Sequence, residues 1–209
     1  MAKVFRKILM LNICLIFFSA FYPVNIERHF YVELFPRELI NLGPEDASAE
    51  TLCSIQDAVK ILLPEAQNVK EEVKTLTQEQ KNAIAKAADI QFDPGLDKEY
   101  CFSIGEVDGK IIGYAVVDNV KGKWGIIKYM LSFEPDGKVK DVLVLELKEK
   151  RGRPVKNRRF LDQFVGKTMN DQVKLKKDIN GVAGATISSR GMTNGVRKLV
   201  YVFNELYKK

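Results

Sequence analysis

The sequence is poor in the residues that build metal and haem sites. It contains a single histidine, His29, and three cysteines, at positions 14, 53 and 101. One histidine excludes histidine-rich metal sites, and a c-type haem is excluded because no Cys-x-x-Cys-His sequence is present. The spacing of Cys53 and Cys101 matches neither a disulfide framework nor a zinc site, so whether these two residues pair stays open. We therefore predict no metal site.

Internal repeats, low-complexity stretches and nucleic-acid-binding motifs are also missing. The chain has 209 residues, enough for one sizeable domain with accessory segments, and a moderate net charge of +6. Such a charge favours solubility or affinity for an anionic membrane surface, and no nucleic-acid partner is expected without a motif to support it. The sequence also has no paired carboxylates and no nucleophile–base set that would indicate a substrate reaction of its own.

The N-terminus has the pattern of a targeting segment. Three basic residues within the first seven positions precede an apolar run from Ile8 to Tyr22, an order typical of a secretory signal or a signal anchor. The run is barely long enough for the roughly 30 Å of hydrocarbon in a bilayer. Cleavage after Ala20 is disfavoured because Phe18 stands where a small residue is required. We predict that residues 1–24 form an uncleaved anchor, with a cleaved signal peptide and a buried N-terminal helix as the alternatives.

Residues 25–57 are predicted to be a juxtamembrane linker followed by the start of a helix. The linker mixes apolar and charged residues without a clear period. Pro44 opens a helical pattern that Pro64 ends, with apolar residues at spacings of three and four. The apolar positions of this pattern are Leu52, Ile55, Val59 and Leu62. Further along, a short strand is predicted for 69–73 and a second helix for 78–88.

From Glu99 the apolar residues recur with a period of two, which predicts strands. The predicted strands are Tyr100–Val107, Lys110–Val117, Trp124–Phe133 and Val139–Glu146. Asp108-Gly109 and Asp136-Gly137 are strong hairpin turns, because glycine supplies the positive φ angles that such turns need. One or two helical turns follow at 160–164, and a helix with one apolar stripe closes the chain from about Ser188 to Tyr207. The predicted fold class is α+β: an antiparallel meander sheet with flanking helices and a C-terminal helix, preceded by the N-terminal membrane anchor.

The segment from Asn180 to Ser189 combines small residues with hydroxyl side chains. Gly181 and Gly184 allow unusual backbone angles and a close approach of the main chain to a ligand. Three hydroxyl residues follow where the C-terminal helix begins: Thr186, Ser188 and Ser189. A helix N-terminus offers unpaired N–H groups and the positive end of the helix dipole, and both favour a phosphate. The alternative is that these hydroxyls are ordinary N-caps.

The order of residues in this segment resembles the flavinylation motif of the FMN-binding domain family. That family includes the C subunit of sodium-pumping NADH:quinone reductase and the G subunit of Rnf complexes. Its pattern runs Asp-x-x-Ser/Thr-Gly-Ala-Thr-x-Thr/Ser, and a flavin transferase uses FAD to attach FMN through its phosphate to the last hydroxyl residue. The resemblance makes Gly184, Ala185 and Thr186 the central Gly-Ala-Thr of an FMN-binding site. It makes Ser188 the residue that carries covalent FMN.

The resemblance extends over residues 58–209, which we predict to be the FMN-binding domain. Within this range, the sequence Gln163-Phe164-Val165-Gly166-Lys167 is also similar to the family. Two positions depart from the family pattern. Asn180 stands where the family has an acidic residue, and Ala183 stands where it has a small hydroxyl. FMN held without a covalent bond therefore stays open as an alternative.

Three further features acquire a role through the resemblance. Trp124 is expected to stack on the isoalloxazine ring, the alternative being an aromatic residue at the start of a strand that covers the core. Glu146 is expected to contact the ring or the ribityl chain, the alternative being a solvated strand end. The basic run 148–159 is either a solvated loop or a surface that meets lipid headgroups or an acidic redox partner.

The function implied by these features is that of an electron carrier. We predict an extracytoplasmic flavoprotein, tethered on the periplasmic side of the cell membrane by a single pass, that relays electrons through FMN within a respiratory or ion-pumping complex. The expected partners are the other subunits of that complex, a flavin transferase for maturation, and the membrane. The alternatives are a flavin-dependent reductase of a small extracytoplasmic acceptor and a noncovalent FMN-binding module.

Overall fold

The structure is a computed structural model that describes residues 49–148 and 153–208. The predicted membrane anchor, residues 1–24, lies outside these ranges, as does most of the predicted linker. Within them, no helix has both the length and the apolar character that a membrane crossing requires. A compact unit extends from Ala47 to Lys209, and the predicted domain start at residue 58 falls inside it.

The sheet has six antiparallel strands in the order β1-β6-β5-β4-β3-β2. The strands are β1 (Glu50–Thr51), β2 (Asn68–Lys74), β3 (Tyr100–Val107), β4 (Lys110–Lys121), β5 (Ile126–Phe133) and β6 (Val139–Leu147). Strands β3 to β6 form the predicted meander. In the first hairpin, Asp108 and Gly109 have φ angles of 49° and 74°, so the chain reverses within a tight turn. The predicted α+β class is confirmed.

Two strand ends differ from the predicted ones. β4 continues past Val117 to Lys121, where it still pairs with Ile126 of β5. β5 therefore begins at Ile126, and Trp124 lies in the turn before it rather than in the strand. The pairing of β4 with β5 therefore extends to the residues that flank this turn.

The described residues also form four α-helices. These are α1 (Ile55–Leu62), α2 (Gln78–Ala88), α3 (Arg158–Leu161) and α4 (Thr186–Tyr207). The bounds of α2 are those predicted, because Thr77 and Gln80 form a capping box in which each side chain bonds the other residue's main-chain N–H. The turns predicted at 160–164 are found as the end of α3 and a 3-10 turn, Asp162–Phe164.

The first predicted helix begins later than its apolar spacing suggested. Glu50 and Thr51 form β1 and pair with the end of β6, so Leu52 is not helical. Ser54 is the N-cap of α1, and its Oγ accepts the N–H of Asp57 at 3.1 Å. The chain is therefore still bound to the sheet where the periodicity predicted a helix.

The sheet lies between two helical layers because successive residues of a strand point to opposite faces. Tyr114 and Val116 of β4 belong to the larger core, which contains the apolar stripe of α4, whereas Ala115 belongs to the smaller core under α1. Leu199 and Phe203 of α4 are 0% exposed. Each such buried side chain stabilises the fold by about 1.5–3 kcal/mol, so α4 is held firmly on the sheet.

Candidate functional site

The C-terminal helix α4 begins at Thr186, slightly earlier than predicted. Its N-cap residue is Ala185, at φ −124° and ψ 35°, and no side chain caps it. The alternative prediction was that a hydroxyl residue of this segment would be the N-cap. The structure has Ala185 at that position instead. Thr186 and Ser188 instead lie in the first turn of the helix, at the positive end of its dipole.

The three hydroxyls at this helix start differ in exposure. Thr186 is exposed, whereas Ser188 and Ser189 are both 0% exposed. Ser188 lies one turn before Met192 and two turns before Val196, which are also 0% exposed, so it belongs to the stripe that α4 turns toward the core. A hydroxyl buried in this way can receive a phosphate only if the helix moves. The burial of Ser188 therefore argues against it as the FMN acceptor.

The loop ahead of α4 is bonded back to the first turn of the helix. Ser189 Oγ accepts the N–H of Val182 at 3.0 Å, and the N–H of Ala185 donates to the carbonyl of Val182 at 3.0 Å. Gly184 has a φ of +75°, and an added Cβ would meet nothing within 4 Å. The backbone angle, rather than lack of space, therefore favours glycine at this position. The chain enters α4 from a defined turn.

The side chain of Gln163 bonds the main chain of the same loop. The N–H of Asn180 donates to Gln163 Oε1 at 2.7 Å, and Gln163 Nε2 donates to the carbonyl of Asn180 at 3.1 Å. Gln163 Nε2 also lies 3.3 Å from the carbonyl of Phe160. The Gln-Phe-Val-Gly-Lys element, identified by its sequence alone, is thus in direct contact with the segment that leads to Thr186.

An ionised aspartate organises the turn before this loop. Asp178 accepts the N–H of Val173 at 3.0 Å, the N–H of Lys174 at 2.8 Å and the ammonium of Lys167 at 3.0 Å. Partial burial opposes ionisation, but the bonds from Lys174 and Lys167 outweigh it and hold the pKa of Asp178 below its usual range. The carboxylate is therefore a structural anchor for residues 173–178.

A pocket of about 650 Å³ lies between the loop and the α3 segment. Residues 180–183 form one wall, and Arg159, Phe160 and Gln163 contribute to the other. Phe160 is buried and Arg159 is exposed, so the pocket combines an apolar wall with a cationic rim. Its volume falls in the range of about 300–1,000 Å³ that is usual for small-molecule sites.

Trp124 lies in the turn between β4 and β5. The N–H of Gly122 donates to the carbonyl of Gly125 at 2.8 Å across this turn. The Trp124 side chain is 48% exposed, so it does not cover the core as the alternative supposed. Lys123 Nζ lies 5.5 Å from the centre of the indole. The ring is presented to solvent, where a ligand can reach it.

Glu146 is close to the end of β6 and is partly exposed. Its Oε1 lies 2.8 Å from Nζ of Lys128, the residue opposite it on β5. In the structure Glu146 is therefore a partly solvated residue near a strand end, as the alternative prediction had it, and it also forms an ion pair with Lys128. A contact between Glu146 and a flavin stays a prediction.

Helix α4 runs antiparallel to β4, with its N-terminus toward the β4–β5 turn. An added Cβ at Gly191 would lie 2.5 Å from the carbonyl oxygen of Lys121, and one at Gly195 would lie 2.5 Å from Val120 Cγ1. The start of α4 therefore lies near the C-terminal end of β4. The close packing at both glycines fixes this direction.

The predicted site residues consequently lie at one end of the sheet. Thr186 begins α4 at this end, and the turn that carries Trp124 directly follows β4 there. Glu146 is at the same end, because its partner Lys128 lies near the start of β5. The structure therefore brings the motif, the aromatic turn and the predicted glutamate into one region.

Comparison with known families identifies this region. The family described as FMN-binding domain matches residues 122–201, from the Trp124 turn through most of α4. The resemblance to the FMN-binding domain family is confirmed. The predicted cofactor, FMN, is confirmed with it.

Two curated relatives of this chain are subunits of ion-translocating oxidoreductase complexes. The G subunit of the Na(+)-translocating ferredoxin:NAD(+) oxidoreductase complex of Acetobacterium woodii is 26% identical over 160 residues, which cover 65% of this chain and 77% of the relative. The G subunit of the proton-translocating ferredoxin:NAD(+) oxidoreductase complex of Clostridium ljungdahlii is 33% identical over 98 residues, which cover 44% of this chain and 53% of the relative.

Solved structures share the fold. NqrC from Shewanella oneidensis aligns with a TM-score of 0.50 and 16% identity, covering 73% of this chain and 96% of its own. The C subunit of the Na(+)-translocating NADH-quinone reductase from Parabacteroides distasonis aligns with a TM-score of 0.51 and 16% identity, covering 76% and 86% respectively. At this identity the likeness establishes the architecture alone.

Helix α4 also contributes to a buried ionic cluster that the sequence analysis did not predict. Lys198 Nζ pairs with Asp97 and, at 3.0 Å, with Asp118 Oδ2, which also accepts the Tyr129 hydroxyl at 2.7 Å. Burial opposes the charge on Lys198, but the two carboxylates outweigh it and hold its pKa above the usual value. One signal was present: Asp118 follows Val116 at the core-facing spacing of β4.

The described residues include no group of histidine, cysteine, aspartate and glutamate side chains that could hold a metal ion. Cys53 and Cys101 are both free thiols. The question of their pairing, left open by the sequence, is thereby answered for this structure.

Proposed function

We propose that this chain carries FMN through a phosphoester bond at the first turn of α4 and relays electrons as one component of a membrane redox complex. The observation that carries the proposal is that Thr186 is exposed at the N-terminus of a firmly packed helix, and that the loop leading to it lines a pocket of ligand size. The family match and the two relatives from ferredoxin:NAD(+) oxidoreductase complexes support an electron-transfer role.

Exposure selects Thr186 over its neighbours as the acceptor. Ser188 is the residue that the sequence pattern indicated, but its hydroxyl is 0% exposed on the core side of α4. Ser189 is equally buried, and its Oγ already accepts the N–H of Val182. Thr186 alone of the three presents its residue to solvent, so we move the proposed attachment point from Ser188 to Thr186.

The surroundings of Thr186 suit a phosphate. The N-terminus of α4 supplies the positive end of the helix dipole, which stabilises an anion by about 0.3–1 kcal/mol. Gly184 has no side chain, and nothing lies within 4 Å of the place where its Cβ would be. The main chain at this turn is therefore open to close approach by phosphate oxygens.

The attachment step follows from the chemistry of FAD, the flavin donor that the family resemblance implies. Thr186 Oγ forms a bond to the phosphorus on the riboflavin side of the pyrophosphate. The bond from that phosphorus to the bridging oxygen breaks, and AMP leaves with the electron pair. The hydroxyl proton passes to a base on the transferase or to solvent. No oxidation or reduction occurs in this step.

The pocket beside the loop is the proposed place for part of the flavin. When bound, FMN supplies the one- and two-electron chemistry, and the protein supplies position and electrostatics. Phe160 offers an apolar wall and Arg159 a cation at the rim. Trp124 and Glu146, at the same end of the sheet, remain proposed contacts of the ring and the ribityl chain.

The proposed setting is the outer face of the cell membrane. Residues 1–24 would anchor the chain, and the folded unit would lie on the extracytoplasmic side, beside the other subunits of a respiratory or ion-pumping complex. A flavin transferase is the proposed maturation partner. Full-length chain expressed in cells should remain with the membrane fraction after a salt wash, and protease added outside the inner membrane should degrade it.

The decisive experiment is intact mass spectrometry of the chain after co-expression with a flavin transferase. The wild type should gain the mass of FMN less water and show in-gel flavin fluorescence. Thr186→Val, which keeps the shape of the side chain but removes the hydroxyl, should lose both signals. Ser188→Ala is the matched control and should keep them. An increment that disappears in Ser188→Ala and persists in Thr186→Val would restore the original acceptor.

A second arm separates covalent from noncovalent binding. If the wild type retains yellow colour on native desalting but loses it on denaturation, FMN is held without a bond, and the phosphoester is refuted while FMN binding stands. A colourless wild type would refute both.

A further inference from the structure

The residue that stands out near the proposed acceptor is Gln163, which bonds the loop without belonging to it. Its amide pairs with both main-chain groups of Asn180, at 2.7 Å and 3.1 Å. The side-chain amide of Gln163 thus makes the same two hydrogen bonds to Asn180 that a residue of a neighbouring strand would make in a sheet. Asn180 lies on the short loop that ends at Thr186, so the contact restrains the approach to the acceptor.

Gln163 is itself mounted on a rigid support. It lies in a 3-10 turn whose neighbouring rings, Phe160 and Phe164, are buried and meet edge to face at 5.3 Å. Just beyond, the N–H of Gly166 donates to the carbonyl of Val139 at 2.8 Å, which ties the element to the start of β6. The turn that carries Gln163 is therefore fixed to the sheet, and Gln163 in turn fixes the loop.

Apolar packing and two polar contacts hold this loop. Val182 and Ala185 pack with the core, whereas Gly184 occupies the positive φ region. The bond from Val182 N–H to Ser189 Oγ holds the helix side of the loop, and Gln163 holds the other side. With both contacts in place, the main chain that leads to Thr186 is restrained on both sides.

We propose that Gln163 is a positioning residue for flavin attachment: its amide fixes the main chain at Asn180 and so presents the Thr186 hydroxyl to the incoming phosphorus. The inference rests on the proposed function. Accurate placement of a nucleophile contributes strongly to rate, and a displacement of about 1 Å can cost about 100-fold. Gln163 acts through Asn180 and does not touch the reacting atoms.

The test uses the full chain with purified flavin transferase and FAD, and follows covalent incorporation by intact mass. Gln163→Met keeps the length of the side chain and removes both bonds to Asn180. We expect its kcat for incorporation to fall about 10-fold to 100-fold, with KM for the chain little changed. Gln163→Glu keeps an acceptor for the Asn180 N–H but loses the donor, and should be intermediate. Gln172→Met, the same change at an exposed glutamine, should match the wild type.

Two further measurements distinguish positioning from other roles. Hydrogen exchange on the unloaded chain should show faster exchange at Asn180 in Gln163→Met, with the amides of α4 still protected. Because Gln163 also lines the proposed flavin pocket, affinity for free FMN is measured separately in a Thr186→Val background, where Gln163→Met should lose much less affinity than it loses incorporation rate. A loss of affinity as large as the loss of rate would make Gln163 a flavin ligand and overturn the positioning role.

The remaining outcomes are also decisive. Equal incorporation rates in Gln163→Met and the wild type overturn the inference while leaving the proposed function intact. A slow Gln163→Met variant whose α4 amides exchange freely has lost its fold. The Gln163→Glu variant, which is expected to be intermediate, then decides. If it incorporates FMN as slowly as Gln163→Met, the positioning role is contradicted. A wild-type chain that gains no FMN defeats the proposed function, and this inference with it.

Discussion

Gly191 of α4 packs directly against the main chain of Lys121, so closely that an added Cβ would lie 2.5 Å from the carbonyl oxygen. Helix and sheet approach at this point without an intervening side chain. Since Lys121 is the last residue of β4 and precedes the Trp124 turn, the contact fixes the start of α4 relative to that turn. The position of the proposed flavin site thus depends on a glycine outside the motif.

Gly191→Ala should destabilise the protein, although alanine favours a helix. The helix propensity gain is about 1 kcal/mol, whereas overpacking against a main-chain carbonyl typically costs about 1–3 kcal/mol. We expect a net loss of about 1 kcal/mol in the free energy of unfolding, measured in urea. Arg190→Ala, at an exposed neighbouring position, is the control and should be neutral or slightly stabilising. A Gly191→Ala variant more stable than the wild type would mean that α4 can shift at no cost.

Lys198→Met should cost far more than the loss of a surface lysine. It would leave Asp97 and Asp118 buried without their cation, and breaking a buried ion pair in this way costs about 3–5 kcal/mol. Lys128→Met, which removes the partly exposed pair with Glu146, should cost at most about 1 kcal/mol. Thermal and urea unfolding would measure both.

Adding Asp118→Asn to Lys198→Met should restore part of the lost stability, because one uncompensated charge is removed. If the double variant is no more stable than Lys198→Met, repulsion between the two carboxylates is not the cause of the loss.

The parts of the fold that were predictable are those with local causes. The bounds of α2 follow from the capping box at Thr77 and Gln80, and the Asp108-Gly109 turn follows from its need for positive φ angles. β1 was not predictable, because its two residues have no period and are strands only by pairing with β6. The buried Asp118 needed the partner Lys198, which lies far away in the chain.

The candidate site was predictable as a segment and less so as a single residue. The motif located the hydroxyls, but which of them faces solvent depends on how α4 is rotated against the sheet. The sequence contained the information on this rotation. Ser188 lies four residues before Met192 and eight before Val196, the spacing that places all three on one buried stripe of the helix. Gln163 could not be assigned from sequence, because its contact with Asn180 joins two loops through tertiary structure.

Asp178→Asn should alter stability in a pH-dependent way. The pKa of Asp178 is lowered in the folded state, so its carboxylate contributes stability above the unfolded pKa of about 3.9, and this contribution is lost as the pH falls through the folded value. We expect the wild type to exceed the variant by about 1–2 kcal/mol at neutral pH. The difference should narrow as the pH falls below the unfolded pKa and through the lower folded one, as urea unfolding at a series of acid pH values would show.

Lys167→Met is the companion variant for Asp178. It removes the ammonium but leaves the two main-chain N–H bonds from Val173 and Lys174, so the pH dependence should shrink without vanishing. A gap between Asp178→Asn and the wild type that stays constant from neutral to acid pH would show that ionisation of Asp178 is not the source of its effect.

Trp124, the only tryptophan of the chain, gives a spectroscopic reading of where the flavin ring lies. Oxidised FMN absorbs where indole emits, so a ring attached at Thr186 and lying against the β4–β5 turn should strongly quench the Trp124 emission. Thr186→Val treated with the same transferase and FAD, then desalted, should keep the emission of the unloaded chain. Chemical reduction of the loaded wild type should restore part of the emission, because the visible absorption of the flavin is lost.

Stacking can be separated from mere proximity by substitution at the same position. Trp124→Leu removes the aromatic face, which contributes about 0.5–1.5 kcal/mol to a stacked pair, and Trp124→Phe keeps one. Attached flavin should therefore be more mobile in Trp124→Leu, seen as lower fluorescence anisotropy, while Trp124→Phe stays close to the wild type. Covalent loading should be equal in all three chains, since Trp124 is not needed for the bond. Unquenched emission in a fully loaded wild type would place the ring away from the turn, on the side of the pocket at Phe160.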